Sequence, residues 1–149
     1  TKKVTKANPD TIFFSFADHG LIDVKYFDIC EHEDLHSLLS QDMSFEKRVA
    51  NFFVKTDKKK EFQDLFNKYY GQYFELMDRE TVFKDELFGK GTPHPLSYKF
   101  IGDFIAIAKD IYCLYASKEM TPEKFVPHKG HHAGGTKEEM EINISVYNR

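Results

Sequence analysis

Residues Gly130–Asn148 read GHHAGGTKEEMEINISVYN. Three readings are packed into this stretch, and together they decide the fold. Thr136 followed three residues later by Glu139 is a capping-box signature, so KEEM begins a short helix. The apolar run that follows, INISVYN, closes the chain as a strand. Ahead of the helix, His131 and His132 sit in a loop whose glycines, Gly134 and Gly135, permit a close backbone approach. With His128, three of the seven histidines fall within five residues. Adjacent imidazoles rarely face one centre, so one of the pair is expected to ligate while its neighbour points away or meets a substrate.

A partner for that loop lies at the other end of the chain. TIFFSFA (residues 11–17) is a dense run of aromatic and β-branched residues after an Asn8-Pro9-Asp10 turn signal, and its composition predicts a buried strand. It ends in Asp18-His19-Gly20. Ligand sites in open α/β sheets lie beyond the carboxyl ends of strands. An oxygen ligand beside an imidazole suits zinc or manganese. Taken alone the triplet also fits an ordinary turn. Ligands drawn from two distant loops are the usual build of a catalytic metal site.

Between these ends, strand and helix patterns alternate. LIDVKYFDI (21–29) reads as a short extended piece, and HEDLHSLLS (32–40) as a helix with Leu35, Leu38 and Leu39 on its apolar face. EKRVANFFVK (46–55) reads as a strand. Phe62, Leu65, Phe66 and Tyr69 recur at helical spacing, with Gly71 as the stop. YFELMD (73–78) is a strand, and Asp78 caps a helix that ends by Gly89. KGTPHP (90–95) is a loop, YKFIGDFIAIA (98–108) is apolar around Gly102-Asp103, and DIYCLYAS (110–117) is a strand. The class is α/β, with α+β possible. Residues 46–89 form a strand–helix–strand–helix unit, expected as a small cap-like insertion in a core built from residues 1–45 and 90–149.

Composition narrows the function classes. The chain has 149 residues, enough for one core, with 41% apolar and 30% charged residues. A net charge of −3 with mixed signs gives no electrostatic reason to expect a nucleic-acid polymer or an anionic membrane as partner. No apolar run reaches the roughly 18 residues of a membrane span. Two distant cysteines, Cys30 and Cys113, favour a reducing, cytoplasmic setting over a disulfide framework.

FADHG (16–20) resembles the T-A/S-D-H-G strand end of the type I phosphodiesterase/nucleotide pyrophosphatase group of the alkaline phosphatase superfamily. The stretch from Gly130 to Asn148 resembles that group's closing motif, H-x-G-L-T-x-E-E-M followed by an apolar strand, with Gly135 in place of the motif's Leu. FEKRVANFFVK resembles the E-x-R-x-x-x-F strand of its bacterial members. ELFG and FIGDFIAIA resemble the glycine-bearing segments before the last histidine. The resemblance spans residues 10–148. It implies the C-terminal portion of an alkaline-phosphatase-like α/β/α sandwich. It further implies a hydrolase of phosphodiesters, pyrophosphates or phosphate esters, with two divalent metals, zinc above manganese, and a nucleotide or other small phosphate ester as substrate. Carried over by position, Asp18 and His19 bind one metal and His132 the other. His131 is the alternative to His132, and His128 is a weak candidate for touching substrate. A sulfatase, phosphomutase or phosphonate hydrolase shares too much of the pattern to be separated.

In that group a Thr or Ser nucleophile and further ligands lie upstream of the D-H-G strand. Thr1, Thr5, Thr11 and Ser15 have none of the nucleophile's context. The expectation is a chain that holds part of a metal site and a cap, contributes no catalytic residue, and is inactive without the parent's N-terminal half. A non-catalytic binding or oligomerisation module, dimerising through open strand edges, is the reading from a different class. Three lesser features take plainer readings. His32 to His36 matches H-E-x-x-H but reads as a helix face, His94 reads as a loop residue, and Asp103 reads as a structural hydrogen-bond acceptor.

Overall fold

The computed structural model describes residues 10–119 and 127–147, together with Lys3. Thr1, Thr5 and the Asn8-Pro9 part of the predicted turn lie outside the described residues. Among the described residues, ten strands and five short or medium α-helices form a mixed α/β arrangement, in agreement with the predicted class. The helices are α1 (Glu33–His36), α2 (Lys59–Tyr70), α3 (Arg79–Lys84), α4 (Ser97–Phe100) and α5 (Lys137–Met140). Among the described residues no helix is long and apolar enough to cross a membrane.

The centre is a four-stranded antiparallel sheet in the order β4 (Ser44–Glu46), β5 (Val49–Phe52), β7 (Phe104–Ala108), β6 (Phe74–Asp78). Its alternation sorts side chains onto two faces. Ala50, Phe52, Phe74, Phe104 and Ala106 join the larger core with Phe62 and Phe66 of α2. Phe52 lies 5.3 Å from Phe62 and 5.6 Å from Phe66, ring centre to ring centre. On the other face Ile105 packs with Val82 of α3 and with Ile101. The predicted apolar stripe of α2 is therefore what buries that face. Gly71 ends α2 as expected, without entering the left-handed region: its N–H donates to Asn67 O and a Cβ there would stand 2.6 Å from that oxygen.

The strand, helix, strand and helix expected within residues 46–89 are β5, α2, β6 and α3, but β5 and β6 do not pair with each other. β7, from the following segment, lies between them, so the sheet unit extends to residue 108. Gly102 makes this junction. A Cβ at Gly102 would stand 2.2 Å from Phe52 O, and the buried Asn51 side chain accepts from Gly102 N at 2.6 Å.

Three two-stranded ladders surround this sheet. β3 (Lys25–Asp28) runs parallel to β8 (Tyr112–Tyr115), β2 (Ile22–Asp23) pairs with β9 (Gly130–His131), and β1 (Phe13–Phe16) pairs with β10 (Ile144–Tyr147). The first strand is found as predicted, but its burial is not. Phe14 is 56% exposed and Phe16 65%, and Ile144 and Val146 opposite them are exposed too. Among the described residues no third layer covers this two-stranded ribbon, so its aromatic composition does not bring burial.

Candidate metal-binding site

The ladders bring the two candidate loops together. β2 lies against β9, with Ile22 opposite His131, which draws the Asp18–Gly20 turn beside the histidine loop. Gly20 N–H donates to Glu139 O at 2.8 Å, and a Cβ on Gly20 would stand 1.8 Å from Glu138 O. Glycine is required here by this close approach of two backbones. As a result the imidazoles of His19 and His132 stack face to face, with ring centres 3.7 Å apart and an interplanar angle of 14°.

His19 Nδ1 donates to Gly20 O at 2.7 Å, which fixes the tautomer and leaves the Nε2 lone pair free in neutral imidazole. Fixing one ring nitrogen on a carbonyl is how metal-ligating histidines are commonly oriented. Nε2 lies 3.6 Å from Asp18 Oδ1. A tetrahedral zinc bonded to both atoms at ordinary lengths would separate them by about 3.4 Å. The Asp18 side chain is 88% exposed, open to solvent or to another surface. Asp18, His19 and a divalent metal therefore fit one another in donor chemistry and spacing.

His131 and His128 lie beside the stacked pair. His131 is part of β9, its Nδ1 donates to His132 O at 3.2 Å, and its ring centre is 5.8 Å from that of His132. Burial, with the Lys47 charge adding to it, holds the His131 pKa below the ordinary value. His128 lies just before β9, 6.5 Å from His131 between ring centres, with its carbonyl accepting from Tyr26 Oη. His131 and His128 are thus neighbours of the stacked pair and not members of it. Among the described residues no group of three or more His, Cys, Asp or Glu side chains converges as a metal cluster.

His32, His94 and Asp103 are engaged in contacts away from the stacked pair. α1 is a single turn, His32 precedes it, and the His32 ring stacks on Tyr69 at 3.7 Å, so H-E-x-x-H does not present two imidazoles on one helix face. His94 Nδ1 accepts from Leu96 N within its loop. Asp103 accepts from Val54 N at 2.9 Å and pairs with Lys59 Nζ at 2.7 Å, the structural role expected of it.

Arg48 falls within EKRVANFFVK, where local pattern does not reveal its role. It sits at the tip of the β4–β5 hairpin with no solvent exposure and grips Glu139 with two bonds, Nε to Oε1 at 2.5 Å and Nη2 to Oε2 at 2.7 Å. Nη1 donates to Asp110 O and Tyr112 O, both at 2.8 Å. The Glu139 carboxylate also accepts from Gly134 N at 2.8 Å and from Thr136 Oγ1 at 2.6 Å. Burial alone would push this carboxyl up; Arg48, Thr136 and Gly134 outweigh it and hold the pKa at about 2. Arg48 stands beside Glu46 and Lys47 in the sequence, and only its complete burial singles it out as needing a charged partner. Ala133, directly after His132, has φ of 79°, a left-handed conformation that costs a residue with a Cβ.

A separate hollow of about 510 Å³ is lined by Phe45, Phe83, Phe88, Tyr98 and Phe100 and shares no lining residue with the histidine loops.

No family model and no curated protein sequence matches the chain. Solved structures do. Murine ectonucleotide pyrophosphatase/phosphodiesterase 5 matches with a TM-score of 0.61 at 15% identity, over 99% of this chain and 36% of that one. The human protein of the same name matches with a TM-score of 0.62 at 16% identity, over 98% and 36%. An inactive variant of the murine protein, solved in complex with AMP, matches with a TM-score of 0.56 at 15% identity, over 98% and 36%. The chain spans about a third of the length of the structures it matches. At this identity the likeness is one of fold, and the fold is that of a segment of an ectonucleotide pyrophosphatase/phosphodiesterase.

Proposed function

We propose that this chain is the C-terminal part of a two-metal phosphoester hydrolase of the nucleotide pyrophosphatase/phosphodiesterase type. In this reading it supplies Asp18 and His19 to one metal and His132 to the other, while the Thr or Ser nucleophile comes from a further segment. The stacked pair carries the reading. An imidazole donates in its own plane, so two near-parallel rings 3.7 Å apart serve two centres better than one. That spacing matches the roughly 3.5–4 Å between ions in two-metal sites. Bound there, such ions would polarise a phosphoryl oxygen and activate a nucleophile. The chain's own residues orient the ligands: Gly20 O fixes the His19 tautomer, and Glu139 ties both loops. A nucleotide substrate is favoured by the AMP complex of the murine neighbour.

The exposed β1–β10 ribbon supports a second, larger assembly, since Phe14, Phe16, Ile144 and Val146 present apolar surface on open strands. In the hydrolase reading that surface packs against the rest of the enzyme. In the module reading it pairs two copies of this chain.

Zinc titration followed by calorimetry tests the site. His132→Ala and His19→Ala are expected to weaken binding at least tenfold, and His131→Ala to leave it within a factor of two. Equal losses at His131 and His132 would reverse their roles. The full-length enzyme is expected to hydrolyse bis(p-nitrophenyl) phosphate, and this chain alone is not. Turnover by the chain alone, at a rate matching the full enzyme, refutes the assignment of the nucleophile elsewhere. A concentration-dependent dimer by sedimentation, abolished by Phe14→Lys, would favour the module.

A further inference from the structure

We propose that Arg48 is a positioning residue for the stacked imidazoles, acting through Glu139, so that the four-stranded sheet sets the geometry of the candidate metal site. The inference rests on the reading above for what the imidazoles bind, and on geometry alone for how they are held. Glu139 is the shared anchor of both loops. Its carbonyl accepts from Gly20 N, next to His19, and its carboxylate accepts from Gly134 N, two residues after His132. The orientation of that carboxylate is set by the two-pronged contact with Arg48, whose side chain and Glu139's are almost wholly shielded from water.

Arg48 is itself fixed from the sheet side. Its carbonyl accepts from Ala108 N at the end of β7, while Nη1 spans the carbonyls of Asp110 and Tyr112 at the start of β8. The guanidinium thus has all three nitrogens engaged in fixed directions, a pattern that lysine, with one ammonium, cannot reproduce. Gly134 completes the fit. A Cβ there would stand 2.6 Å from Arg48 Nη2 and 2.6 Å from Glu139 Oε2, so the loop seats directly on the ion pair. A path of direct contacts therefore runs from β7 and β8 through Arg48 and Glu139 to the two histidine loops.

The test uses the intact chain, with two readouts. Proton NMR reports the ring protons of His19 and His132, shifted upfield by mutual stacking without any metal; zinc affinity reports the site they form. Arg48→Lys is expected to move both sets of ring signals to unstacked positions and to weaken zinc binding at least tenfold. Gly134→Ala, which keeps both charged groups but drives a Cβ against them, is expected to do the same and serves if Arg48→Lys fails to fold. Arg79→Lys is the control. Arg79 braces Gly102 O, away from the histidines, so its loss lowers the melting temperature without moving the ring signals. Unmoved ring signals in a folded Arg48→Lys or in Gly134→Ala overturn the inference, as does an equal response to Arg79→Lys. If the wild-type chain binds no zinc while its ring signals respond as stated, the metal reading fails and the positioning role stands.

Discussion

Gly20 and Glu139, near opposite ends of the sequence, are joined by one main-chain hydrogen bond of 2.8 Å, and on that bond the two histidine loops meet. The contact admits no side chain, because a Cβ at Gly20 would stand 1.8 Å from Glu138 O. Gly20→Ala is expected to force the two segments apart and to cost about 2–3 kcal/mol, at the upper end of overpacking effects. Urea unfolding measures it; an unchanged midpoint would mean that the segments are not in contact.

The Arg48–Glu139 pair makes acid stability depend on one carboxylate. Its pKa is lowered, so the stability it contributes is fully present above the unfolded value near 4.5 and is lost as pH falls toward about 2. A depression of this size is worth about 3 kcal/mol at neutral pH. Glu139→Gln is expected to remove the steep fall between those limits. At neutral pH it also leaves Arg48 buried without a counter-charge, at a cost of about 3–5 kcal/mol. Unfolding free energies at a series of pH values distinguish the two chains, and parallel profiles would contradict the assignment.

Ala133 holds a positive φ beside His132. Glycine adopts that conformation freely, so Ala133→Gly is expected to stabilise the fold by up to about 1 kcal/mol, less whatever the more flexible unfolded chain gives back. A drop in melting temperature would show that the Ala133 methyl group contributes more than the strain costs.

Asn51 is fully buried and makes three bonds, donating to Ser44 Oγ and Phe100 O and accepting from Gly102 N. Asn51→Leu keeps the branched skeleton, adds some bulk and strands those partners. It is expected to cost about 2–4 kcal/mol and to speed exchange of the Gly102 amide. Slow exchange in the variant would argue that the Gly102 amide has another partner.

Local signals in the sequence predicted local structure well. The Thr136–Glu139 spacing gave the start of α5, Asp78 accepts from Thr81 N as a cap should, and the Phe62/Phe66 stripe marks the buried face of α2. Long-range outcomes were less visible. The phenylalanines of β1 follow a buried-strand pattern, yet their exposure depends on what lies over the ribbon, which composition does not encode. β7 separates β5 from β6 because pairing across a connection is chosen by packing, not by the strands' own residues. Of the candidate ligands, Asp18, His19 and His132 are legible in the sequence. The stacking of the two imidazoles and the place of Arg48 are not, because each rests on contacts between residues far apart in the chain.

The pairing of β1 with β10 has a topological consequence. Phe13 lies opposite Tyr147, so the first and last strands described are a single strand spacing apart. A short turn from Tyr147 to Phe13 would close residues 13–147 into a ring without breaking any ladder among the described residues. The loop at Gly89 and Gly91, where both glycines have positive φ and open space around them, offers a place to cut that ring. Such a circular permutant would begin at α4 and end at α3, with both histidine loops in the interior of its sequence.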